Sequence, residues 1–445
     1  MPRDKRRERA CDMRFARAKI RHGRFQKRHK RMKYGLIGEK LSHSYSCEIH
    51  ALIASYDYEL KPLAKDEVAH FLQERAFCAI NVTIPYKEVV IPYLDVISDE
   101  ARAIGAVNTI VNKDGKLFGY NTDYYGIKAL FDKANIDPAG KDALVLGTGG
   151  TAKTASAVLR ALGAKSVTKV SRSKKDGAID YDEAKKRKDT QIIFNATPVG
   201  MYPSDEQQPI DLQGFCNLEG VLDAIYHPLC TNLVLQAKDK GAKAIGGLYM
   251  LVAQAVYASR LFLGKDVSDV SKDEIESVYE KILAKKQNVV LAGMPSSGKS
   301  TIGKRVARIL EREFVDTDCE IERKIGMTIA DFFAKYGEAE FRKIESEIIN
   351  EVSKKSAAVI ATGGGAVLDQ NNVNALKRNG KIVFLDRKTQ DLVATKSRPL
   401  SSNTDDLKKL YEKRYPVYNA CADVKVVNDG SVNKAAYAIA KEFEK

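Results

Sequence analysis

The segment "LAGMPSSGKST", residues 291–301, contains the residue types that bind nucleotide phosphates. Gly293, Gly298, Lys299 and Ser300 fit the pattern G-x-x-x-x-G-K-[ST] directly after the apolar run "NVVLA". In such a loop, backbone N–H groups surround the phosphates, the lysine contacts the terminal phosphates and the hydroxyl reaches Mg²⁺. The segment therefore predicts a site for ATP and Mg²⁺. The same loop supplies further candidate ATP contacts: Ser296, Ser297 and Thr301.

A second glycine loop, "LVLGTGGTAKTA", has G-x-G-x-x-A spacing between a predicted strand and a predicted helix. Small residues at these positions allow a tight turn, close approach of the backbone to a pyrophosphate and close packing of the helix. An ordinary glycine turn is the alternative, but the strand–loop–helix context favours a dinucleotide site. The candidate contacts of this loop are Gly147, Thr148, Gly149, Gly150, Thr151 and Ala152.

The end of the next predicted strand, "VSRSKK", indicates which dinucleotide binds. Sites for NAD usually place an acidic residue about 20 residues after the loop, where it binds the ribose 2′-hydroxyl. Here Arg172, Lys174 and Lys175 precede the first acid, Asp176, so the pattern favours the 2′-phosphate of NADP over NAD. A solvated basic turn is the alternative. The candidate cofactor contacts are Ser171, Arg172, Ser173 and Lys174, with Gly247 further along the chain.

Polar clusters interrupt the mostly apolar sequence before the G-x-G-x-x-A loop, in "NVTIPYKE" and "GYNTDYYG". Polar groups at the ends of buried strands are costly unless they are satisfied or used. Lys87 and Asp123 would form a catalytic couple, since an ammonium stabilises charge developing on a carbonyl oxygen under reduction and a carboxylate keeps it protonated and oriented. Taken singly, each residue would more often belong to a surface ion pair.

The segment "VDTD" follows the phosphate-binding loop by about 20 residues and supplies Asp316 and Asp318. No histidine lies beyond His227, so acid–base chemistry in this part of the chain must use carboxylates, Lys or Tyr. We expect an extended segment in which the two carboxylates point to opposite sides, so that one could serve the metal through water while the other addresses the hydroxyl that accepts a phosphoryl group. Ser300 and Asp316 are the metal candidates.

These residues are positioned by predicted strands and helices, which alternate from Lys33 onwards. "KYGLIG", "CAINVTI" and "AVNTIVN" predict buried strands, with helices in "SYSCEIHALIASY" and "KDEVAHFLQERA" between them. A second alternating series contains the G-x-G-x-x-A loop, and a third begins near Lys286. Such alternation predicts an α/β protein with parallel or mixed sheets covered by helices.

The net charge of +15 is concentrated at the N-terminus, where residues 1–31 carry +11 and the remaining residues only +4. This segment is too charged to bury a core. A dispensable extension before Met32, a nucleic-acid or anionic-surface tail and a targeting peptide remain alternatives; the first is favoured, so no nucleic-acid partner is expected. The sequence has no apolar run of bilayer length and no C-x-x-C pair, which favours a cytoplasmic protein without membrane contact. It gives no indication of oligomeric state.

Residues 33 to about 280 resemble shikimate dehydrogenase in the order of their motifs: "HSYS", "NVTIPYK", "GAVNTI", "NTD", "GTGGTA", "NATPVGM" and "GLYMLVAQA". The resemblance implies reversible reduction of 3-dehydroshikimate to shikimate by NADPH, with Lys87 and Asp123 catalytic. It also implies a set of substrate-binding residues: Ser44, Ser46, Asn81, Thr83, Asn108, Asp123, Tyr226 and Gln254. "VSRS" replaces the family's commoner "NRT", which leaves cofactor choice slightly open.

Residues 287–445 resemble shikimate kinase through "GMPSSGKS", "FRKIE", "ATGGGAV", "SRPL" and "EKRYPVY". The resemblance implies that Asp318 is the catalytic base, that Lys299 is catalytic and that Arg398 reaches the transferring phosphoryl group from a lid. The lid segment "TKSRPLSSNTDD" is shorter than is usual in the family, which leaves open the residues that contact the adenine. The residues implied to bind shikimate are Asp318, Arg342, Gly364, Gly365 and Arg414.

Together the two resemblances imply a bifunctional enzyme of aromatic amino-acid biosynthesis, in which the product of one half is the acceptor for the other. Quinate as a substrate of the first half is the nearest alternative. A regulatory protein with inactive sites is another, although Lys87, Asp123, Lys299 and Asp318 are all present. The implied division is an extension (1–31), a substrate domain (32–125, with helices after about 250 packing back on it), a Rossmann NADP domain (126–280), a linker (281–286) and a P-loop domain resembling nucleoside-monophosphate kinases (287–445).

Overall fold

Three β-sheets covered by helices make up the part of the chain that the structure describes. This computed structural model describes residues 32–42, 44–174, 177–392 and 404–444, with the backbone alone for 404–406. The predicted α/β fold class is confirmed. The basic segment 1–31, Lys175 and Arg398 with its lid lie outside the described residues. Within these ranges no helix is both long and apolar enough to span a bilayer.

The first sheet is mixed and is formed by β1 (Tyr34–Gly38), β2 (Tyr58–Pro62), β3 (Ala79–Val82), β4 (Val96–Ile97), β5 (Thr109–Lys113) and β6 (Lys116–Tyr120). Its order is β2-β1-β3-β5-β6-β4, with β5 antiparallel to both neighbours. The helices of this region are α1 (Ser46–Ile53), α2 (Glu67–Glu74) and α3 (Asp99–Ile104). Strand β2 was not predicted because it is a half-exposed edge strand that lacks an apolar run.

The second sheet is parallel and is formed by β7 (Asp142–Leu146), β8 (Ser166–Val170), β9 (Ile192–Asn195), β10 (Gly220–Asp223) and β11 (Lys243–Ile245). The helices around it are α4 (Thr122–Ala134), α5 (Gly150–Ala161), α6 (Tyr181–Lys185), α7 (Asn232–Asp239) and α8 (Leu248–Phe262). Its order is β11-β10-β9-β7-β8, so the chain changes direction across the sheet at β7. Ligands bind in open α/β sheets at such a switch point, beyond the carboxyl end of the strand.

The third sheet is also parallel and is formed by β12 (Asn288–Ala292), β13 (Phe314–Asp316), β14 (Val359–Ala361), β15 (Gly380–Asp386) and β16 (Val424–Val427). The helices that follow from the second sheet onwards are α9 (Lys272–Lys286), α10 (Lys299–Ile309), α11 (Thr317–Ile325), α12 (Ile329–Val352), α13 (Gln370–Asn379), α14 (Thr404–Cys421) and α15 (Val432–Lys441). Its order is β13-β14-β12-β15-β16, which places β12 and the loop after it at the centre.

Helices α4 and α8 join the first two sheets. They cross so closely that a Cβ on Gly126 would lie 2.8 Å from the main-chain oxygen of Met250. At the other end of α8, Ala258 and Phe262 pack against Ala79 and Val111 of the first sheet. The proposed boundary between residues 125 and 126 therefore falls inside a continuous helix, α4.

Helix α9 leads directly into the third sheet. Residues 281–286, predicted as a linker, are the last turns of this helix. Ile282 is fully buried in the same apolar core as Leu248 and Val252 of α8. A helix anchored in this way cannot act as a flexible tether, because moving it would expose apolar surface.

A buried ion pair joins the second sheet to the third. Arg378, at the end of α13, places Nη1 2.8 Å from Asp205 Oδ2, and the two side chains are 4% and 0% exposed. The same Nη1 donates to the main-chain oxygen of Asp205 at 3.0 Å, and the N–H of Cys230 donates to the main-chain oxygen of Arg378 at 2.8 Å. Charges this deeply buried persist only when they are paired.

Two candidate active sites

The loop after β7 has the backbone that a pyrophosphate needs. Gly147 has φ +115°, which other residues rarely adopt, and its N–H donates to the main-chain oxygen of Val170 at 2.8 Å. A Cβ on Gly147 would lie 3.3 Å from the main-chain oxygen of Ala196. Gly149 precedes α5 without a side-chain cap, so the first N–H groups of that helix remain available for an anion.

The basic turn after β8 lies next to this loop, because β7 and β8 are neighbours. The side chain of Arg172 is exposed. Lys174 lies 2.8 Å from Asp180 and 3.4 Å from Glu183, and the Asp180 contact raises the pKa of the lysine. Ser171 and Ser173 place their hydroxyl oxygens 3.2 Å apart. Of the two described cations, Arg172 is therefore the better placed for a 2′-phosphate, whereas Lys174 already has acidic partners.

Lys87 and Asp123 form a close ion pair beside the glycine loop. Lys87 Nζ lies 2.6 Å from Asp123 Oδ2, and the side chains are 13% and 7% exposed. Lys87 Nζ also lies 3.5 Å from Thr151 Oγ1 in the first turn of α5. A Cβ on Gly150 would lie 3.4 Å from Cβ and Cδ of Lys87. The acid–base couple and the dinucleotide loop therefore share one site.

Three of the predicted substrate-binding residues belong to one buried hydrogen-bond network. Asn81 Nδ2 donates to Asn108 O at 3.3 Å, and Asn108 Oδ1 accepts from the main-chain N–H of Thr122 at 2.7 Å. Thr122 Oγ1 donates to Gln254 Oε1 at 3.5 Å. Because Thr122 immediately precedes Asp123, this network fixes the start of α4 and the position of the carboxylate.

The other predicted substrate residues lie at the start of α1, after β3 and after β10. Ser44 Oγ donates to Ser46 Oγ at 3.0 Å, at the start of α1. The ring of Tyr226 packs against Tyr45 at 5.2 Å between centroids, and burial raises the pKa of Tyr226. Thr83 follows β3, and its N–H donates to the main-chain oxygen of Ile37 at 2.9 Å.

The phosphate-binding loop after β12 depends on glycine at two positions. Gly293 has φ +151° and Gly298 has φ +98°. A Cβ on Gly293 would lie 2.6 Å from the main-chain oxygen of Leu385, which leaves no room for a side chain. Lys299 Nζ donates to the main-chain oxygens of Gly293 and Met294, both at 2.9 Å, so its ammonium lies across the mouth of the loop.

The residues predicted to hold the metal are next to each other. Ser300 Oγ donates to Asp316 Oδ2 at 2.6 Å. Asp316 ends β13 and caps α11 by accepting from the Asp318 N–H at 3.1 Å, so "VDTD" is not the extended segment we expected. The described residues contain no group of three or more acidic, His or Cys ligands. One hydroxyl and one carboxylate suit Mg²⁺, which takes few protein ligands and completes its shell with water and phosphate oxygens.

Charged side chains surround the turn Gly363–Gly365 at the predicted acceptor site. Arg414, which is 5% exposed, donates from Nη1 to the main-chain oxygen of Gly364 at 3.0 Å. A Cβ on Gly365 would meet the guanidinium of Arg342, and one on Gly363 would lie 2.8 Å from Asp318 Oδ1. Two guanidinium groups and one carboxylate around a glycine turn can bind a small hydroxylated carboxylic acid.

Comparison with known proteins identifies the family. The part of the chain that carries the first two sheets is 40% identical, over 267 residues, to a shikimate dehydrogenase (NADP(+)) from Clostridium perfringens; the match covers 56% of this chain and 97% of that protein. The chain belongs to the shikimate dehydrogenase family. Residues 36–110 match the family model of the shikimate dehydrogenase substrate binding domain, and residues 295–444 match that of shikimate kinase. The prediction that the chain joins a dehydrogenase to a kinase is confirmed.

Solved structures agree for the dehydrogenase half. Shikimate dehydrogenase 1 from Peptoclostridium difficile is 37% identical, with a TM-score of 0.52, and the match covers 56% of this chain and 97% of that one. Shikimate 5-dehydrogenase from Thermus thermophilus, solved in complex with NADP(H) and shikimate, is 30% identical, with a TM-score of 0.50, over 56% of this chain and 99% of that one.

The kinase site also contains a carboxylate to which we had assigned no role. Glu345, within the quoted "FRKIE", is 1% exposed, and its Oε2 accepts from Arg342 Nη1 at 2.6 Å. A Cβ on Gly363 would lie 2.9 Å from Glu345 Oε1. Burial raises the pKa of Glu345 in spite of the attraction to Arg342. Glu345 follows Arg342 by three residues on α12, and this spacing could have indicated that the two side chains pair.

Two further residues, one in each enzyme, form hydrogen bonds to residues of the proposed sites. Tyr58 on β2 donates to Asn81 Oδ1 at 2.7 Å and so orients that amide. Asn428, after β16, is 3% exposed and donates to the main-chain oxygen of Ser297 in the phosphate-binding loop at 2.8 Å. Nothing local in the sequence marks either residue, because each contact depends on chain segments far apart.

Proposed function

We propose that the chain reduces 3-dehydroshikimate to shikimate with NADPH and then phosphorylates shikimate with ATP and Mg²⁺. The observation that supports the first activity most strongly is the Lys87–Asp123 pair, 2.6 Å apart and 3.5 Å from the dinucleotide loop through Thr151. The second activity rests on the phosphate-binding loop in the same chain as the Asp318, Arg342 and Arg414 cluster.

In the proposed reduction, Lys87 donates a hydrogen bond to the substrate carbonyl oxygen and delivers a proton to it. Bound NADPH supplies the hydride that adds to the carbonyl carbon, so one proton and one hydride convert the ketone to the alcohol. Asp123 pairs with the Lys87 side chain at 2.6 Å and holds it aimed at that oxygen. The largely buried setting strengthens this charge interaction relative to the same pair in water.

In the proposed phosphorylation, Arg342 and Arg414 bind the carboxylate of shikimate and fix the orientation of the ring. Asp318 orients the acceptor hydroxyl and takes its proton as that oxygen bonds to the γ-phosphorus of ATP, while the bond from the γ-phosphorus to the bridging oxygen breaks and ADP leaves. Lys299 holds negative phosphate oxygens at the mouth of the loop. Ser300 and Asp316 would hold Mg²⁺, which when bound neutralises phosphate charge. Arg398, outside the described residues, is proposed to reach the transferring group.

NADP is proposed over NAD as the cofactor because Arg172 is exposed in the turn after β8, and the sequence from the end of β8 to Lys175 contains no acidic residue. The relatives support this choice, since one is named a shikimate dehydrogenase (NADP(+)) and another was solved with NADP(H). We also propose a cytoplasmic location, which fits the described cysteines, none of which is in a disulfide.

We further propose that shikimate passes between the sites through solvent. Arg378, which contacts the dehydrogenase at Asp205, lies just before Gly380, and Gly380 pairs with Asn288 at the amino end of the third sheet. The phosphate-binding loop lies at the carboxyl end of β12. Five residues of strand separate these ends, about 16 Å at roughly 3.3 Å per residue. The kinase site therefore faces away from the surface through which the two modules meet.

Steady-state kinetics of the two half-reactions test the proposal. Shikimate and quinate are each offered with NADP and with NAD, and shikimate phosphorylation is followed separately through ADP release. We expect shikimate with NADP to give the highest kcat/KM in the oxidation. Preference for quinate, or for NAD, would contradict the corresponding part of the assignment, and the absence of ADP release on adding shikimate would contradict the kinase part.

A further inference from the structure

The main-chain oxygen of Gly364 accepts hydrogen bonds from two side chains of helix α14. Arg414 donates from Nη1 at 3.0 Å, and Tyr418 donates from its hydroxyl at 2.5 Å. The two side chains are four residues apart, so they lie on the same face of the helix. A carbonyl oxygen has two lone pairs, and two donors use both of them. The Gly364 carbonyl is therefore held in one direction, towards α14.

The surroundings of Tyr418 fix its hydroxyl for this contact. The side chain is fully buried, and its ring stacks on Phe384 of β15 with 5.2 Å between the centroids. Burial raises the pKa of Tyr418 to about 12, so the hydroxyl keeps its proton and can donate at neutral pH. Tyr418 ends the quoted motif "EKRYPVY", but it is not among the residues that we assigned to shikimate.

The direction of the Gly364 carbonyl determines where the next N–H points. The peptide bond between Gly364 and Gly365 is trans, so its N–H points away from its carbonyl oxygen. The N–H of Gly365 therefore points away from α14, and no acceptor for it lies within the described part of the chain. The Arg342 guanidinium lies against the same residue, because a Cβ on Gly365 would meet it. Two hydrogen-bond donors for a substrate oxygen are thus placed at Gly365.

We propose that Tyr418 is a positioning residue of the kinase, which holds the turn Gly363–Gly365 so that the Gly365 N–H faces shikimate before the substrate binds. The proposal rests on the proposed function, since that function assigns Gly364, Gly365 and Arg414 to shikimate. A turn that is ordered in advance loses less conformational freedom on binding. The Tyr418 hydroxyl is used by Gly364 and does not act on the reacting atoms. Its contribution therefore appears in the binding of shikimate and not in the chemical step.

Tyr418→Phe tests the proposal, because it removes the hydroxyl and keeps the ring that stacks on Phe384. Gly364 O keeps its hydrogen bond from Arg414, so we expect the variant to fold. A single hydrogen bond corresponds to about a two- to tenfold change in an equilibrium constant. The KM for shikimate in the kinase reaction should therefore rise about two- to tenfold, with kcat, the KM for ATP and the dehydrogenase constants unchanged. Tyr418→Met also lacks the hydroxyl and should raise the same KM at least as much.

Tyr415→Phe is the matched control, because it removes a hydroxyl from the same helix. That hydroxyl accepts from Lys425 Nζ at 2.8 Å and has no described contact with the glycine turn. All constants of this variant should keep their wild-type values. The Tm and the dehydrogenase activity, measured on the same preparations, show whether each variant is folded.

A wild-type KM for shikimate in both Tyr418 variants would overturn the proposal. An equal rise in the KM for ATP would also overturn it, since that would indicate a general disturbance of the kinase. Failure of both variants to fold would do the same, because the hydroxyl would then serve the fold as a whole. A wild-type protein that does not phosphorylate shikimate would instead overturn the proposed function and this inference with it.

Discussion

Replacing Arg378 by Met should destabilise the protein more than a typical surface substitution. The change keeps an apolar stem in place but removes the charge that lies 2.8 Å from Asp205 Oδ2. Asp205 is 0% exposed, and the only other described cation paired with it is Lys354, at 3.5 Å. The carboxylate would therefore stay buried with one distant, half-exposed partner.

Breaking one partner of a buried ion pair typically costs about 3–5 kcal/mol. For a domain of the size of the kinase, about 1 kcal/mol shifts Tm by roughly 2–4 °C. The expected fall in Tm is thus about 6–20 °C by differential scanning calorimetry. Adding Asp205→Asn to the Arg378→Met variant removes the unpaired charge and should recover part of the loss.

Lys343→Met is the matched control, because Lys343 is a 69% exposed member of a surface pair with Glu340. Exposed pairs contribute little to stability, so this variant should leave Tm nearly unchanged. If Arg378→Met lowered Tm no further than Lys343→Met, the pair would not be a structural link between the enzymes and the reasoning would be wrong.

Three further predictions concern chemistry and pH. Lys87→Ala should lower dehydrogenase kcat by about 10²–10⁴-fold with kinase activity intact, and Lys299→Ala should do the reverse; equal loss of both activities in either variant would contradict separate sites. Arg172→Ala should raise the KM for NADP by about tenfold and spare that for NAD, and equal effects on both would reassign the 2′-phosphate contact. Burial lowers the pKa of His50 to about 3 from 6.5. Between these two pH values His50 binds a proton in the unfolded chain but not in the folded one. The free energy of unfolding therefore falls by roughly 1.4 kcal/mol per pH unit as the pH is lowered from about 6.5 towards 3. His50→Phe should flatten that dependence in denaturant titrations, and an unchanged slope would refute the cause.

The parts of the fold and of the sites that could be predicted are those carried by short contiguous sequence motifs. Both glycine loops follow buried apolar strands, which explains why their positions were predictable. Lys87 and Asp123 could be paired because each lies in a polar cluster at the end of an apolar run. The strand β2 escaped prediction since edge strands need no apolar run.

Contacts between distant segments could not be predicted in the same way. Arg378 and Asp205 are 173 residues apart, and neither stands in a distinctive pattern. Such partners are set by how whole sheets pack, whereas local propensity and periodicity report only on neighbours in sequence.

Mass spectrometry of one reaction mixture tests the central claim most directly. The purified full chain is given 3-dehydroshikimate, NADPH, ATP and Mg²⁺, and the ring acids are quantified over time. We predict that shikimate appears first and shikimate 3-phosphate follows, with one NADPH and one ATP consumed for each phosphorylated product. Accumulation of shikimate without any phosphorylated ring acid, or no consumption of 3-dehydroshikimate, would contradict the assignment of two successive activities to this chain.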